Sequence, residues 1–354
     1  MASATARLVL VVGATGAQGI AVVEALLRPT TNGSPSPYRV RIFTRDADHP
    51  RAKRLAAMEG VEVAVGSVKD LKSVERALEG VYGAFINTDG FTIGEKEETH
   101  AGLRIFELAK IAGVKHYVWS NLDYGLKKGG YDPQYRCAHY DAKGRVAEWV
   151  GTQPSEADGL RWTVLTTGPY MDMLYLLFAP LGQRSDGTFV FSAPVGDGHV
   201  PMIALSDIGF FSRYIFDNPD ATSGKDLEIA SDIVGWDYLV ETFTRVTGQK
   251  AVYHRLTVEE YMDAMEGIDN PVGMDETPGP DALTWRKNFT GWWSLWRDDV
   301  VKRDMDWVRS VNPGTVSLEE YMRREGYTGT RRPQQTSGGP TANKAKAAKI
   351  LGWA

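Results

Sequence analysis

An α/β fold with a doubly wound parallel sheet is predicted by three features of this 354-residue chain. Up to about residue 166, apolar β-branched runs alternate with stretches of helical spacing, the pattern of crossover units in parallel sheets. The first run, Leu8–Val12, passes directly into Gly13, Gly16 and Gly19, and a helical pattern follows at once. Later the alternation lapses and Trp, Tyr and Met accumulate, which predicts a smaller, mostly helical C-terminal lobe.

In chain order, Leu8–Val12 is the first strand and Gln18–Leu27 the first helix. Residues 29–37, rich in Pro, Asn, Gly and Ser, form an extended loop. Strands follow at Arg39–Thr44, Val61–Val65, Gly83–Thr88 and His116–Ser120, with helical segments Ala52–Glu59, Leu71–Leu78 and Glu95–Ala112 between them. After a polar loop, Gly125–Gln134, come a helix at His139–Val150 and a sixth strand at Trp162–Thr166. Turn signals at Asp186-Gly187 and Gly196-Asp197-Gly198 flank Thr188–Ser192 and predict a hairpin. Met202–Leu205 reads as a strand leading through Ser206-Asp207 as a helix cap into Ile208–Phe216, and Lys225–Ile229 as a further strand. The expected division is 1–166 plus about 201–231 for the sheet domain and about 167–200 plus 232–330 for the second lobe. The remainder, 331–354, reads as a flexible basic tail with too little apolar surface to offset chain entropy, and a short helix is possible at Lys344–Leu351.

Composition narrows the functional classes. A net charge of −5 does not suit a direct nucleic-acid binder. The single cysteine, Cys137, excludes an internal disulfide framework and reads as a passive residue. Met1–Thr5 is too short and polar for a secretory signal, and the longest apolar stretch, Met171–Leu181, is interrupted by Asp172 and Pro180. The expectation is a cytoplasmic protein, with a nuclear location open and no membrane association. The six histidines, at 49, 100, 116, 139, 199 and 254, form no metal-ligand spacing, so no metal is expected.

A strand running through spaced glycines into a helix is the context of a dinucleotide-binding loop. Glycine lets the backbone approach a pyrophosphate, and the helix N-terminus offers free N–H groups and partial positive charge. Gly13, Thr15, Gly16, Ala17, Gln18 and Gly19 are therefore candidate contacts. The second strand ends Phe43-Thr44-Arg45-Asp46. Arg45 suits the extra 2′-phosphate of NADP, which is favoured over NAD. Asp46 is the competing feature, either a ribose-binding acid or a helix cap. Ligands of such sheets sit beyond the strand carboxyl ends. Ser67 and Val68 after the third strand, Asn87 and Thr88 after the fourth and Ser120 in the fifth join the list of cofactor contacts.

Taken together, several segments resemble the NmrA-like family, atypical short-chain dehydrogenase/reductases, with isoflavone-reductase-like and fungal relatives. They are Val12–Gly19, Phe43–Asp46, Gly113–Ser120, His139–Gly144, Thr163–Leu165 with Gly168–Tyr170, and Val200–Ile203 with Ser206–Gly209, and Asn288–Trp293 looks like fungal members. The resemblance implies a Rossmann lobe binding NADP and a second lobe for a substrate or partner. It also implies that Lys143 lies near the ribose and nicotinamide and takes part in proton transfer in the reductases.

The Tyr-x-x-x-Lys pair of ordinary short-chain dehydrogenases is absent from the helix carrying Lys143, where His139 stands in the tyrosine position. The match Tyr124 to Lys128 precedes Gly129-Gly130 and Asp132-Pro133, which argue against a helix there. Lys143 and His139 form a candidate substitute dyad, against the alternative that Lys143 only binds cofactor and His139 is structural. Tyr170 is a third catalytic candidate and Pro169 a further cofactor contact; with Met171, Met173, Leu174 and Tyr175 they offer an apolar aromatic lining. Trp285, Trp292, Trp293, Trp296 and Trp307 are core by default, or a substrate wall or partner groove. Two functions stay open: an NADPH-dependent reductase of a small aromatic or secondary metabolite, and a non-catalytic NADP(H)-sensing regulator, a redox sensor acting through a protein partner. Oligomeric state is not readable.

Overall fold

Val9, Leu10, Val11 and Val12 are all buried, so both faces of their strand are covered, as a central parallel strand requires. The computed structural model describes residues 6–156, 159–272, 283–332, 341–342, 346 and 348. Its elements begin β1 (Arg7–Val12), α1 (Ala17–Leu27), β2 (Tyr38–Thr44), α2 (Pro50–Ala56), β3 (Val61–Val65), α3 (Leu71–Leu78) and β4 (Gly83–Ile86). Next come α4 (Gly90–Ile111), β5 (His116–Leu122), α5 (Gly125–Lys128), α6 (Ala138–Gly151) and β6 (Arg161–Thr167). They continue with β7 (Gly182–Gln183), β8 (Phe189–Ala193), β9 (Val200–Met202), α7 (Leu205–Asp217), α8 (Pro219–Thr222), β10 (Lys225–Glu228) and β11 (Asp232–Val234). The chain closes with α9 (Trp236–Thr247), β12 (Ala251–Arg255), α10 (Val258–Asp263), β13 (Met265–Glu266), α11 (Trp285–Arg297), α12 (Met305–Val311), α13 (Leu318–Glu325) and β14 (Thr341–Ala342).

Two compact units result. The first comprises Met1–Leu122, Ala142–Thr167 and Leu205–Ile229. It holds a seven-stranded sheet in the order β10-β6-β5-β4-β1-β2-β3, every pairing parallel. The doubly wound α/β sheet is thus present, with β10 added beside β6. Alternation along β1 sends Leu10 and Val12 into a core with residues of α3, α4 and α6, among them Val74, Ile105 and Val146. On the other face α1 packs on α7, and Phe216 of α7 meets the His116 ring of β5 edge-on at 5.1 Å. Helix α4 begins five residues before the predicted Glu95 and bends at Gly94, whose φ of +81° interrupts the helical backbone.

The second unit comprises Asp123–Asp141, Gly168–Ala204 and Ala230–Ala354. It therefore takes in Asp123–Asp141, which the sequence assigned to the sheet domain. The turn at Asp186-Gly187 does close a hairpin of β7 with β8. The second turn leads instead to β9, which pairs with β11, and β8 takes β12 as a parallel neighbour. Aromatic rings fill the unit: Trp292 contacts Trp293 and Trp296 at 4.8 and 5.6 Å, and Phe178 stacks on Trp292. These tryptophans and Trp285 are buried on α11, whereas Trp307 lies half-buried on α12. Of the predicted tail, Arg331 is anchored by the carbonyls of Leu176, Ala179 and Pro180, and β14 pairs with β13. The rest of that tail, including the helix expected at Lys344–Leu351, lies largely outside the described residues. Among the described residues, no helix is long and apolar enough to cross a membrane.

Candidate functional site

The loop leaving β1 is shaped by space as much as by conformation. Gly13 has φ +77°, and a Cβ there would lie 2.5 Å from the Asn87 carbonyl oxygen. A Cβ on Gly19 would lie 2.1 Å from the Gly13 oxygen, so α1 can start this close only as glycine. Gly16 stands at the N-cap of α1 with no side-chain cap, leaving the first-turn amides of Ala17 onward to another acceptor. Thr15 is half-buried; its carbonyl accepts a hydrogen bond from Arg51 Nη1 at 3.2 Å. Gln18 and Ser120 are buried and bonded to each other, Ser120 Oγ donating to Gln18 Oε1. Their bond joins the first turn of α1 to β5, a structural contact the sequence did not indicate.

Past β2 the chain turns on Thr44, whose hydroxyl bonds the backbone of Asp46. Arg45 is exposed and has no hydrogen bond or ion pair among the described residues. The Asp46 carboxylate accepts from the Asp48 amide, as a turn residue does. Ser67 bonds the Ser73 hydroxyl through its amide and caps the Lys69 amide, and Val68 is half-buried beside it.

Lys143 sits in a closed ring of oxygen acceptors. Its Nζ lies 2.9 Å from the Thr88 carbonyl, 3.0 Å from Thr88 Oγ1, 3.1 Å from Glu98 Oε1 and 3.4 Å from Asn87 Oδ1. An ammonium has three protons, so these acceptors use its donor capacity. The Trp119 ring lies 5.3 Å from Nζ. Sequence reasoning missed Glu98, which is fully buried. Its signal was present: Glu98 precedes Ala101, Gly102 and Ile105 at helical spacing, a charged residue at the head of an apolar stripe.

His139, Tyr170 and Pro169 belong to the second unit. The His139 Nδ1 lies 3.0 Å from Asn288 Nδ2 and 3.2 Å from Cys137 Sγ. Its ring stacks on Phe289 and meets Tyr140 edge-on. Burial pushes the Tyr140 phenol well above its ordinary range, so it stays protonated. Asn288 Oδ1 also accepts the Ala138 amide at 2.9 Å, fixing the start of α6. Tyr170 bridges to Ile203, and the Pro169 carbonyl accepts from the Ile203 amide at 2.9 Å.

Tyr124 and Lys128 do mark the two ends of a short helix, contrary to the sequence reading. Gly125–Lys128 is a single four-residue turn with Tyr124 at its N-cap. The glycine pair ends that turn without preventing it. Lys128 pairs at 2.8 Å with Asp123, whose carboxylate also takes both Nη atoms of Arg303 at 3.0 and 2.7 Å. Burial pushes the Asp123 carboxyl up, but Arg303 and Lys128 outweigh it and hold it below its ordinary range.

The NmrA-like family profile matches residues 5–278. The NmrA-like family domain-containing oxidoreductase himF of Aspergillus japonicus is 28% identical over 270 residues, covering 73% of this chain and 78% of that protein. The fold is similar to that of NmrA, a negative transcriptional regulator, in complex with NADP (TM-score 0.69, 20% identity, 90% of this chain and 95% of that one). NmrA has also been solved with NAD. A further likeness is to the NADPH-dependent quinone oxidoreductase QOR2 of Escherichia coli with NADPH (TM-score 0.68, 19% identity, 90% and 100% coverage). These neighbours bind NADP(H) or NAD, and their likeness establishes the fold.

Proposed function

The chain belongs to the NmrA-like family, and from that premise we propose that it binds NADPH and serves as a reductase of a small aromatic or secondary metabolite. The observation that carries the reading is the cradle after β1, where side chains at Gly13 and Gly19 would collide with backbone. That cradle fits a diphosphate. The amides at the start of α1 would hold it, and Arg51 fixes the Thr15 carbonyl beside them. Arg45, exposed and uncommitted, would take the 2′-phosphate. When bound, the nicotinamide supplies hydride transfer. Lys143 bonds Thr88 in the loop after β4, and the adjoining Asn87 lies against the glycine turn. The relatives named as oxidoreductases favour turnover over sensing alone.

A second reading, a nucleotide-sensing regulator that acts through a protein partner, is favoured by the committed state of the dyad residues. Lys143 is bonded to Thr88, Glu98 and Asn87, and the His139 ring is held by Asn288 and Cys137. In that reading Lys143 and His139 hold the structure together and transfer no proton.

Titration of the purified chain with NADPH and NADH tests the reading. Arg45→Ala should weaken NADPH about tenfold, equivalent to about 1.4 kcal/mol, and leave NADH unchanged. Equal loss for both removes the 2′-phosphate role, and no saturable NADPH association removes the nucleotide site. NADPH consumption with quinones, enones and ketones then separates reductase from regulator.

A further inference from the structure

The geometry points to Glu98 as a positioning residue of the nucleotide site, acting through Lys143 on the loop Asn87–Asp89. This rests on the reading of the first unit as a dinucleotide site. Glu98 is fully buried, which carboxylates tolerate only when paired. Its Oε1 accepts from Thr88 Oγ1 at 2.6 Å and faces Lys143 Nζ at 3.1 Å. Lys143 in turn bonds the Thr88 carbonyl and reaches Asn87 Oδ1. The same loop lies against the glycine turn: the Asn87 amide donates to the Val12 carbonyl at 3.3 Å, and the Asn87 oxygen is what a Cβ on Gly13 would strike. A contiguous run of contacts thus leads from a buried carboxylate to the wall of the diphosphate cradle.

The start of α4 is built around that carboxylate. Glu98 Oε2 has no hydrogen-bond partner among the described residues, and a Cβ on Gly90 would lie 2.2 Å from it. A side chain at Gly90 would displace this carboxylate from its place. The bend at Gly94 separates this turn from the helix that carries Glu98. The negative charge has a specific task. An amide at this position would still accept from Thr88, but it would leave the Lys143 ammonium without a counter-charge in the interior. A natural control lies one turn earlier: Glu95 pairs with Arg145, joining the same two helices at a more exposed position.

The experiment compares wild type, Glu98→Gln, Glu95→Gln and Thr88→Val as full chains. It measures NADPH affinity, thermal unfolding without nucleotide, and hydrogen exchange of the Asn87–Gly90 amides without nucleotide. Glu98→Gln should weaken NADPH at least tenfold and speed exchange in the loop. Glu95→Gln should lower the unfolding temperature yet keep NADPH affinity within twofold. The inference is overturned if Glu98→Gln keeps affinity within twofold, if it leaves loop exchange unchanged, or if both glutamate variants shift affinity alike. If Glu98→Gln does not fold, Thr88→Val decides: weakening of threefold or more supports the inference, and unchanged affinity overturns it. A wild type without saturable NADPH association overturns the nucleotide reading and this role with it, whereas unchanged loop exchange in a chain that binds NADPH removes the role of Glu98 alone.

Discussion

Lys143 and His139 lie one turn apart on α6 and are about equally buried, at 7% and 8% exposed. Their surroundings are opposite in kind. Lys143 is ringed by carbonyl, hydroxyl and carboxylate oxygens. His139 is held by an amide and a thiol and stacked on a phenyl ring. Helical spacing alone suggests a catalytic dyad. The neighbours instead make one residue an electrostatic clamp and the other part of an aromatic wall. A buried charge depends strongly on its partners, whereas a buried aromatic ring depends mostly on fit.

The largest effect expected from this contrast is on stability at Lys143. Lys143→Met leaves the Glu98 carboxylate buried without its counter-charge, and should cost about 3–5 kcal/mol. Urea unfolding without nucleotide measures it. Adding Glu98→Gln to that variant should recover most of the loss, because both charges are then gone. A cost for Lys143→Met below about 1 kcal/mol, the range of an exposed pair, would break the contrast.

A buried imidazole elsewhere in the first unit sharpens it. His116 is fully buried, 3.2 Å from Thr163 Oγ1, and burial, helped by the charge on Arg161, pulls its pKa from 6.5 to about 4. The unfolded chain binds a proton near pH 6.5 that the folded chain resists until about pH 4. This contribution to stability is therefore complete above about pH 6.5 and is lost as pH falls toward 4, a change of about 3 kcal/mol. His116→Gln should flatten the stability profile in that window. Parallel profiles for variant and wild type would mean that His116 is not held neutral by its surroundings.

What was legible in the sequence follows the same division. The strands of the sheet and the glycine turn are set by neighbours in sequence, so alternation and spacing reveal them. Glu98 hides in the run Glu95-Lys96-Glu97-Glu98, which looks solvated until its spacing from Ala101 and Ile105 is noticed. Asp123 and Arg303 are partners far apart along the chain, and nothing local marks either. The same holds for β8, whose neighbour β12 is distant in sequence while the nearby turn signals suggested only a hairpin. The single turn at Gly125–Lys128 was hidden because helix-breaking residues show where a helix stops, not that one is missing before them.

The smallest effect is expected at His139. His139→Gln removes the ring and its contact with Asn288, while Asn288 Oδ1 keeps the Ala138 amide. One hydrogen bond and part of a stacked contact are lost, about 1–2 kcal/mol together. Because Asn288, Cys137, Phe289 and Tyr140, which contact this ring, are not those that hold the glycine loop or Asn87–Thr88, NADPH affinity should stay within twofold. Unfolding and nucleotide titration on the same preparation read both quantities. Weakening of NADPH by tenfold at unchanged stability would place the imidazole at the ligand after all, and the two residues on α6 would again have to be treated as one functional pair.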